Sequence, residues 1–158
     1  MFEVLAFVYD NYLDSDACPE LLALHRSLNT QGFAASEVDA ALLWLEDLKF
    51  AAQQLPENLV AAAPPLPGAA AMRVLSPPEW TRLGVAGWGF LAFLVSVGAL
   101  STLELELVMD RVTAASPGLI GVDDLKLIVL MVFWGLRRTP DALVLDELYD
   151  HPSTRLAN

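Results

Sequence analysis

The sequence predicts a mostly α-helical protein, with an N-terminal three-helix unit joined by a proline-rich linker to a C-terminal helical bundle. Three observations carry that prediction. Leu127 to Leu136 is an uncharged, mostly apolar run entered through Asp123, Asp124 and Lys126 and closed by Arg137 and Arg138. A helix apolar on every side must be enclosed by protein or by lipid. Ser76-Pro77-Pro78-Glu79 and Ser101-Thr102-Leu103-Glu104 both read as capping boxes, in which serine and glutamate satisfy the first free amides of a helix. Across most of the remaining chain, apolar residues recur every three or four positions.

The elements follow in order. Phe2, Leu5, Tyr9 and Tyr12 fall at helical spacing, so residues 1–12 form the first helix; strand is the competing reading, because Val, Phe and Tyr favour both. Pro19 suits the first turn of a second helix over 19–31, with Leu21, Leu24, His25 and Leu28 on one side and Gly32 as its C-cap. A third helix starts at Ser36 with Asp39 completing a weaker box, and Val38, Ala41, Leu42, Leu45 and Leu48 mark its apolar stripe. Residues 1–54 are thus the N-terminal unit, with a helix–turn–helix-like form. Residues 55–75 carry Pro56, Pro64, Pro65 and Pro67 and read as the linker. Met72–Leu75 within it allows a short strand, with no partner strand evident.

The C-terminal bundle covers 76–150. The box at Ser76 starts a helix with Trp80 and Leu83 as inward candidates, and a further helix over about 86–99 carries Trp88, Phe90, Leu91, Phe93, Leu94 and Val97. The box at Ser101 decides for helix where the alternation over Leu103–Leu107 suggests strand. Pro117-Gly118 is a loop, the apolar helix spans 123–136, and a last amphipathic helix runs from Pro140 through Leu148 and Tyr149. Residues 151–158 are a tail.

Composition narrows the function classes. Hydrophobic residues make up 55% and charged residues 18%, which excludes a disordered chain. The net charge is −11, and residues 1–54 hold nine acids against two bases. Such a surface repels phosphate backbones and anionic headgroups and suits basic protein partners. The one cysteine, Cys18, allows no internal disulfide, which fits a reducing compartment. The opening residues lack a basic region and do not read as a secretory signal, so the expectation is a cytoplasmic protein. Gly84 to Leu103 is uncharged and about as long as a bilayer requires, but the Ser101 box divides it.

No catalytic, cofactor or metal constellation stands out. Cys18, His25 and His151 lack zinc-ligand spacing, and Asp14-x-Asp16 lacks the later residues of a calcium loop. Gly84-x-x-Gly87-x-Gly89 meets no phosphate-loop pattern, and close helix packing explains it better. Asp123 and Asp124 suit a helix N-terminus, where Lys126 pairs locally or snorkels, and Arg137-Arg138 suits a helix C-terminus. The third helix carries Glu37, Asp39, Glu46 and Asp47 against Lys49, the wrong sign for reading DNA. The candidates for an interaction surface are Trp80, Arg137, Arg138 and Tyr149.

Several blocks taken in order resemble the bacterial Smg protein family. They are Met1-Phe2-x-Val4-Leu5 with Tyr12, Gly32-Phe33, Ala41-Leu42-Leu43-Trp44-Leu45, Met72-Arg73-Val74 and Ser76-x-x-Glu79. Gly89-Phe90-Leu91-x-Phe93-Leu94, Val108-Met109-Asp110-Arg111-Val112 and Asp124-Leu125-Lys126 complete the set. The sequence departs from the family pattern at Leu127, where a tryptophan is expected, and in the lack of charges over 86–99. The resemblance implies a small, acidic, cytosolic protein encoded beside DNA-processing genes, and supplies no catalytic residues. Together the residues and the resemblance point to a non-enzymatic interaction or adaptor protein, accessory to DNA processing by resemblance alone. A nucleic-acid-binding regulator, using Arg73, Arg82, Arg137 and Arg138, is the first alternative. A membrane-associated helical protein using 84–103 is the second, and an enzyme of unfamiliar type is the third.

Overall fold

The run from Leu127 to Leu136 is the centre of the molecule. The computed structural model describes residues 1–12, 21–55, 73–115 and 117–149, and among them are seven helices and no strand. These are α1 (Phe2–Tyr12), α2 (Leu21–Thr30), α3 (Ala35–Gln54), α4 (Pro77–Ser96), α5 (Thr102–Ala115), α6 (Val122–Gly135) and α7 (Ala142–Tyr149). Helix α6 packs against α1, α3, α4, α5 and α7. Leu125, Ile128, Val129, Met131 and Val132 are fully buried within it. Enclosing side chains of this size stabilises by about 1.5–3 kcal/mol each. Protein, not lipid, surrounds the apolar helix, and no helix among the described residues is long and apolar enough to cross a membrane. The uncharged run 84–103 is divided between α4, a turn and the start of α5.

The two halves share one core. Helices α1 and α3 pack on α6, and α3 also packs on α5. Val38, Ala41, Leu45 and Leu48 of α3 are buried as their spacing predicts, together with Trp44. A reciprocal lock fastens α3 to α5: Trp44 Nε1 donates to the Arg111 carbonyl at 3.0 Å, and Arg111 Nη1 donates to the Trp44 carbonyl at 3.2 Å. The Arg111 guanidinium also lies 5.8 Å from the Trp44 ring centre. Residues 56–72, most of the segment expected as a linker, and residues 151–158, expected as a tail, lie outside the described residues, as do Asp14, Asp16, Cys18 and Pro19.

Both serine–glutamate boxes form contacts. At α4, Glu79 Oε2 accepts from the Ser76 amide at 2.7 Å and from its hydroxyl at 2.8 Å. At α5, the Ser101 amide donates to Glu104 Oε2 at 2.7 Å while the Glu104 amide donates back to Ser101 Oγ at 3.3 Å.

Several local expectations are corrected. The box at Ser36 does not form; α3 begins earlier, with Ala34 as an N-cap that makes no side-chain bond. Asp39 turns instead to His25 Nε2, at 3.3 Å, and His25 is partly buried on α2. Residues 73–75 form no strand, since nothing pairs with them as a ladder. Trp80 faces outward, leaving Leu83 as the buried residue of that turn. The two helices expected on either side of Gly84 are present as the two segments of α4, separated by a kink where Gly84 takes the non-helical φ 59° and ψ −172°. That combination is essentially open to glycine alone. Beside the bend, the Arg82 carbonyl accepts the Ile120 amide at 2.7 Å. Of the three glycines there, Gly87 is the one buried at a helix contact, where an added Cβ would meet Leu83 and Leu125.

Candidate interaction surfaces

Helix α4 puts Leu83, Gly87, Leu91 and Leu94 on its buried side, toward α5 and α6. The opposite side is set by the same helical period. Val85, Ala86, Gly89, Ala92, Phe93, Ser96 and Val97 are all exposed. Val85 is 77% exposed, Phe93 48% and Val97 54%. No charged residue interrupts the chain between Arg82 and Glu104. A helix of a single-chain soluble protein ordinarily covers its outer face with charge. Here the outer face is as uncharged as the inner one. Phe93 belongs with the core-forming residues in the sequence, and nothing local distinguishes it from Leu94. Position does, because it lies off the line through Gly87, Leu91 and Leu94.

The four residues expected at an interaction surface are dispersed. Trp80 is 46% exposed, on the turn of α4 before the bend. Tyr149 is 44% exposed at the end of α7, its hydroxyl 2.9 Å from that of Tyr9. Burial, and then Tyr149, hold the Tyr9 phenol well above its ordinary range. Arg138 reaches back to Glu104 at the start of α5 and lies 5.2 Å from the Phe133 ring centre. Arg137 is exposed, and its backbone closes α6. The Arg138 amide donates to the Phe133 carbonyl and the Arg137 amide to the Trp134 carbonyl, at 2.9 and 3.0 Å. This pattern places Arg137 in the left-handed region, with φ 52°. Main-chain amides therefore cap the helix, and both arginines stand at its C-terminal end, as their sequence position predicts.

Other cations are held inside the fold. Arg73 binds Glu106 through Nε at 2.5 Å and Nη2 at 2.9 Å, and Nη2 also meets Glu79 at 2.8 Å. Arg73, followed by the Ser76 amide, draws the Glu79 carboxyl down to about 2. Lys126 is buried, and donates to the Glu147 carbonyl at the end of α7 at 2.7 Å, with the Phe90 ring centre 5.7 Å away. Through that carbonyl it fastens α7 to α6. Asp124, in the first turn of α6, is raised by burial and then by Asp123. Among the described residues, no group of three or more His, Cys, Asp or Glu side chains is placed to hold a metal ion.

The comparisons with known proteins place the chain in a family and carry no activity. Residues 1–157 match a family model described as a protein of unknown function, DUF494. A Protein Smg homolog of Methylibium petroleiphilum is 44% identical over 156 residues, covering 99% of both chains. The Protein Smg homolog of Leptothrix cholodnii is 42% identical over 156 residues with the same coverage. That of Azoarcus sp. is 36% identical over 148 residues, which is 94% of this chain and 92% of the relative. No solved structure matches. The family blocks noted in the sequence largely coincide with core and cap residues of this fold, among them Val4, Leu5, Trp44, Arg73, Glu79, Leu91, Arg111 and Lys126, and the chain belongs to the Smg homolog family.

Proposed function

We propose that this protein is a non-enzymatic cytoplasmic adaptor that binds another protein through the outer face of α4. One observation carries the reading: seven exposed positions from Val85 to Val97 hold no charge, on a chain with a net charge of −11. An apolar face of this kind marks a surface that a partner covers. The fitting occupant is an apolar helix surface of another protein, since close helix contact is favoured where Gly89, Ala92 and Ser96 lie beside Phe93 and Val97. Accessory action in DNA processing is part of the proposal on family grounds alone.

The nucleic-acid alternative draws on Arg73, Arg82, Arg137 and Arg138. Arg73 is held by Glu79 and Glu106, and Arg138 by Glu104. Phosphate binding needs cations able to displace counterions. Two of the four are already neutralised by carboxylates.

The test is affinity purification of the tagged full chain from its own cells, with nuclease treatment, alongside Phe93→Glu. The expected result is a stoichiometric protein that survives nuclease with the wild type and is lost with the variant. Phe93 is half-exposed, so the variant keeps the fold, which circular dichroism checks. Recovery of nucleic acid alone before nuclease, with no protein after it, overturns the proposal. So does a partner retained equally by Phe93→Glu.

A further inference from the structure

Helix α3 has a second unpartnered face, of different chemistry. Its inner side is committed to the core through Val38, Ala41, Trp44, Leu45 and Leu48. Its outer side carries Leu43, 61% exposed, and Phe50, 66% exposed. Seven residues separate them, so they stand two turns apart on one line, about 10 Å along the helix. Asp39, Glu46 and Asp47 flank that line, and all three are exposed. Asp110 of α5 joins the same border, because Arg111 Nη2 binds its carboxylate at 2.7 Å while Arg111 Nη1 lies 3.8 Å from Asp47. Four carboxylates thus surround two large apolar side chains. The basic side chains facing them are the buried Arg111 guanidinium and the His25 ring, which meets Asp39. Lys49, also exposed, stands one turn beyond Glu46 on the same flank and farther from the line.

We infer that the outer face of α3 docks a basic amphipathic helix of a partner protein. Leu43 and Phe50 offer apolar anchors at the spacing a helix presents every seventh residue. The carboxylates select the rest of the partner by charge. A second copy of this chain would set the same acids against one another, and a nucleic acid or anionic bilayer would meet like charge. A helix with lysines or arginines beside an apolar stripe satisfies both features. The face is already rigid, because Trp44 and Arg111 fix α3 on α5 through two reciprocal hydrogen bonds. Binding therefore orders little of this chain. The inference shares with the α4 proposal only the class of partner, and it stands or falls separately because its residues lie on another helix.

The test uses the full chain and a fluorescent 18-residue peptide of leucine and lysine, patterned as an amphipathic helix, with polarisation as the readout. Three comparisons decide. Leu43→Ser with Phe50→Ser is expected to weaken binding about 10-fold or more. Glu46→Gln with Asp47→Asn is expected to weaken it several-fold and to flatten its salt dependence. Asp141→Asn with Asp146→Asn on α7, and Phe93→Glu on α4, leave it unchanged. A scrambled peptide of the same composition binds at least about 10-fold more weakly, since it loses the apolar stripe. Equal binding by the scrambled peptide, equal binding by the α3 variants, or no binding at all overturns the inference. Loss on Phe93→Glu instead assigns the peptide to α4 and overturns it too. All the substituted residues are exposed, and thermal unfolding confirms that each variant is folded.

Discussion

Glu104 has two tasks, and replacing it tests both. Its side chain is 1% exposed; Oε2 accepts the Ser101 amide, and Oε1 pairs with Arg138, which follows α6. Removing one partner of an enclosed ion pair costs about 3–5 kcal/mol, mainly because the other charge is left unpaired. Arg138 is 28% exposed and can turn to water, so Glu104→Leu falls at the lower end, about 3 kcal/mol with the cap included. Arg138→Leu is different, because the carboxylate it abandons has no route to solvent; about 3–4 kcal/mol is expected. The double variant leaves no buried charge and loses the glutamate half of the cap, about 1 kcal/mol. The two single costs are therefore strongly non-additive, with a coupling of at least about 2 kcal/mol. Urea unfolding at pH 7, followed by far-ultraviolet circular dichroism, measures all three. Additivity to within about 0.5 kcal/mol would refute the reasoning, because it would mean that Glu104 and Arg138 do not meet in solution.

Three further outcomes follow from the backbone and the pH response. Arg137 and Gly98 occupy the same position in matching helix-closing motifs, with φ 52° and 74°, so Arg137→Gly should stabilise by about 0.5–1 kcal/mol and Gly98→Ala should destabilise by about 1 kcal/mol. Opposite signs in chemical unfolding are the check. Gly84→Ala places a side chain in a region reserved for glycine and 3.2 Å from Leu119 Cδ1, and a loss of about 2–3 kcal/mol is expected. A shift of less than about 0.5 kcal/mol would show that the bend is absent in solution. Glu79 has its folded pKa lowered from 4.5 to about 2. Its contribution is complete above pH 4.5 and is lost as pH falls toward 2. Asp124, raised by burial, works in the opposite direction, so the comparison of wild type with Glu79→Gln isolates Glu79. The variant should show a flatter loss of stability across that window in urea midpoints.

The parts of the fold legible in the sequence are those fixed by neighbours along the chain. The two serine–glutamate boxes mark the starts of α4 and α5 because their partners sit three residues apart. The apolar run of α6 announces its own enclosure because no side of it carries charge. The central position follows from that enclosure alone. What the sequence conceals depends on residues far apart. Nothing near Arg111 indicates Trp44, 67 residues away, and nothing near Arg138 indicates Glu104. Nothing near Lys126 indicates the Glu147 carbonyl that α7 supplies to it. The candidate surfaces share that difficulty. Trp80 and Phe93 have the composition of core residues, and only the placement of Leu83 and Leu94 shows that they face out. Leu43 and Phe50 were legible in principle, since they lie opposite the stripe of Val38, Ala41, Leu45 and Leu48.

The distribution of charge gives the two surfaces different rules. Arg111 and Lys126 are buried, and Arg73 and Arg138 are tied to glutamates beside the core. The cations therefore do more to hold helices together than to cover the exterior. Apart from the buried Glu104, most of the acids lie outside, and α3 exposes four of them, Glu37, Asp39, Glu46 and Asp47. Among the described residues, the long uncharged stretch of exposed helix surface is on α4, where Gly84 and Gly98 bound the run between a bend and a turn. A partner on α3 is drawn by a field that salt screens within about 10 Å at 0.1 M, and its affinity should fall as ionic strength rises. A partner on α4 meets no charge, so its affinity should hold or increase in salt, which also screens the repulsion from the net charge of −11. If both contacts weakened alike with salt, the α4 face would not be the uncharged surface described, and the case for two distinct partners would fail.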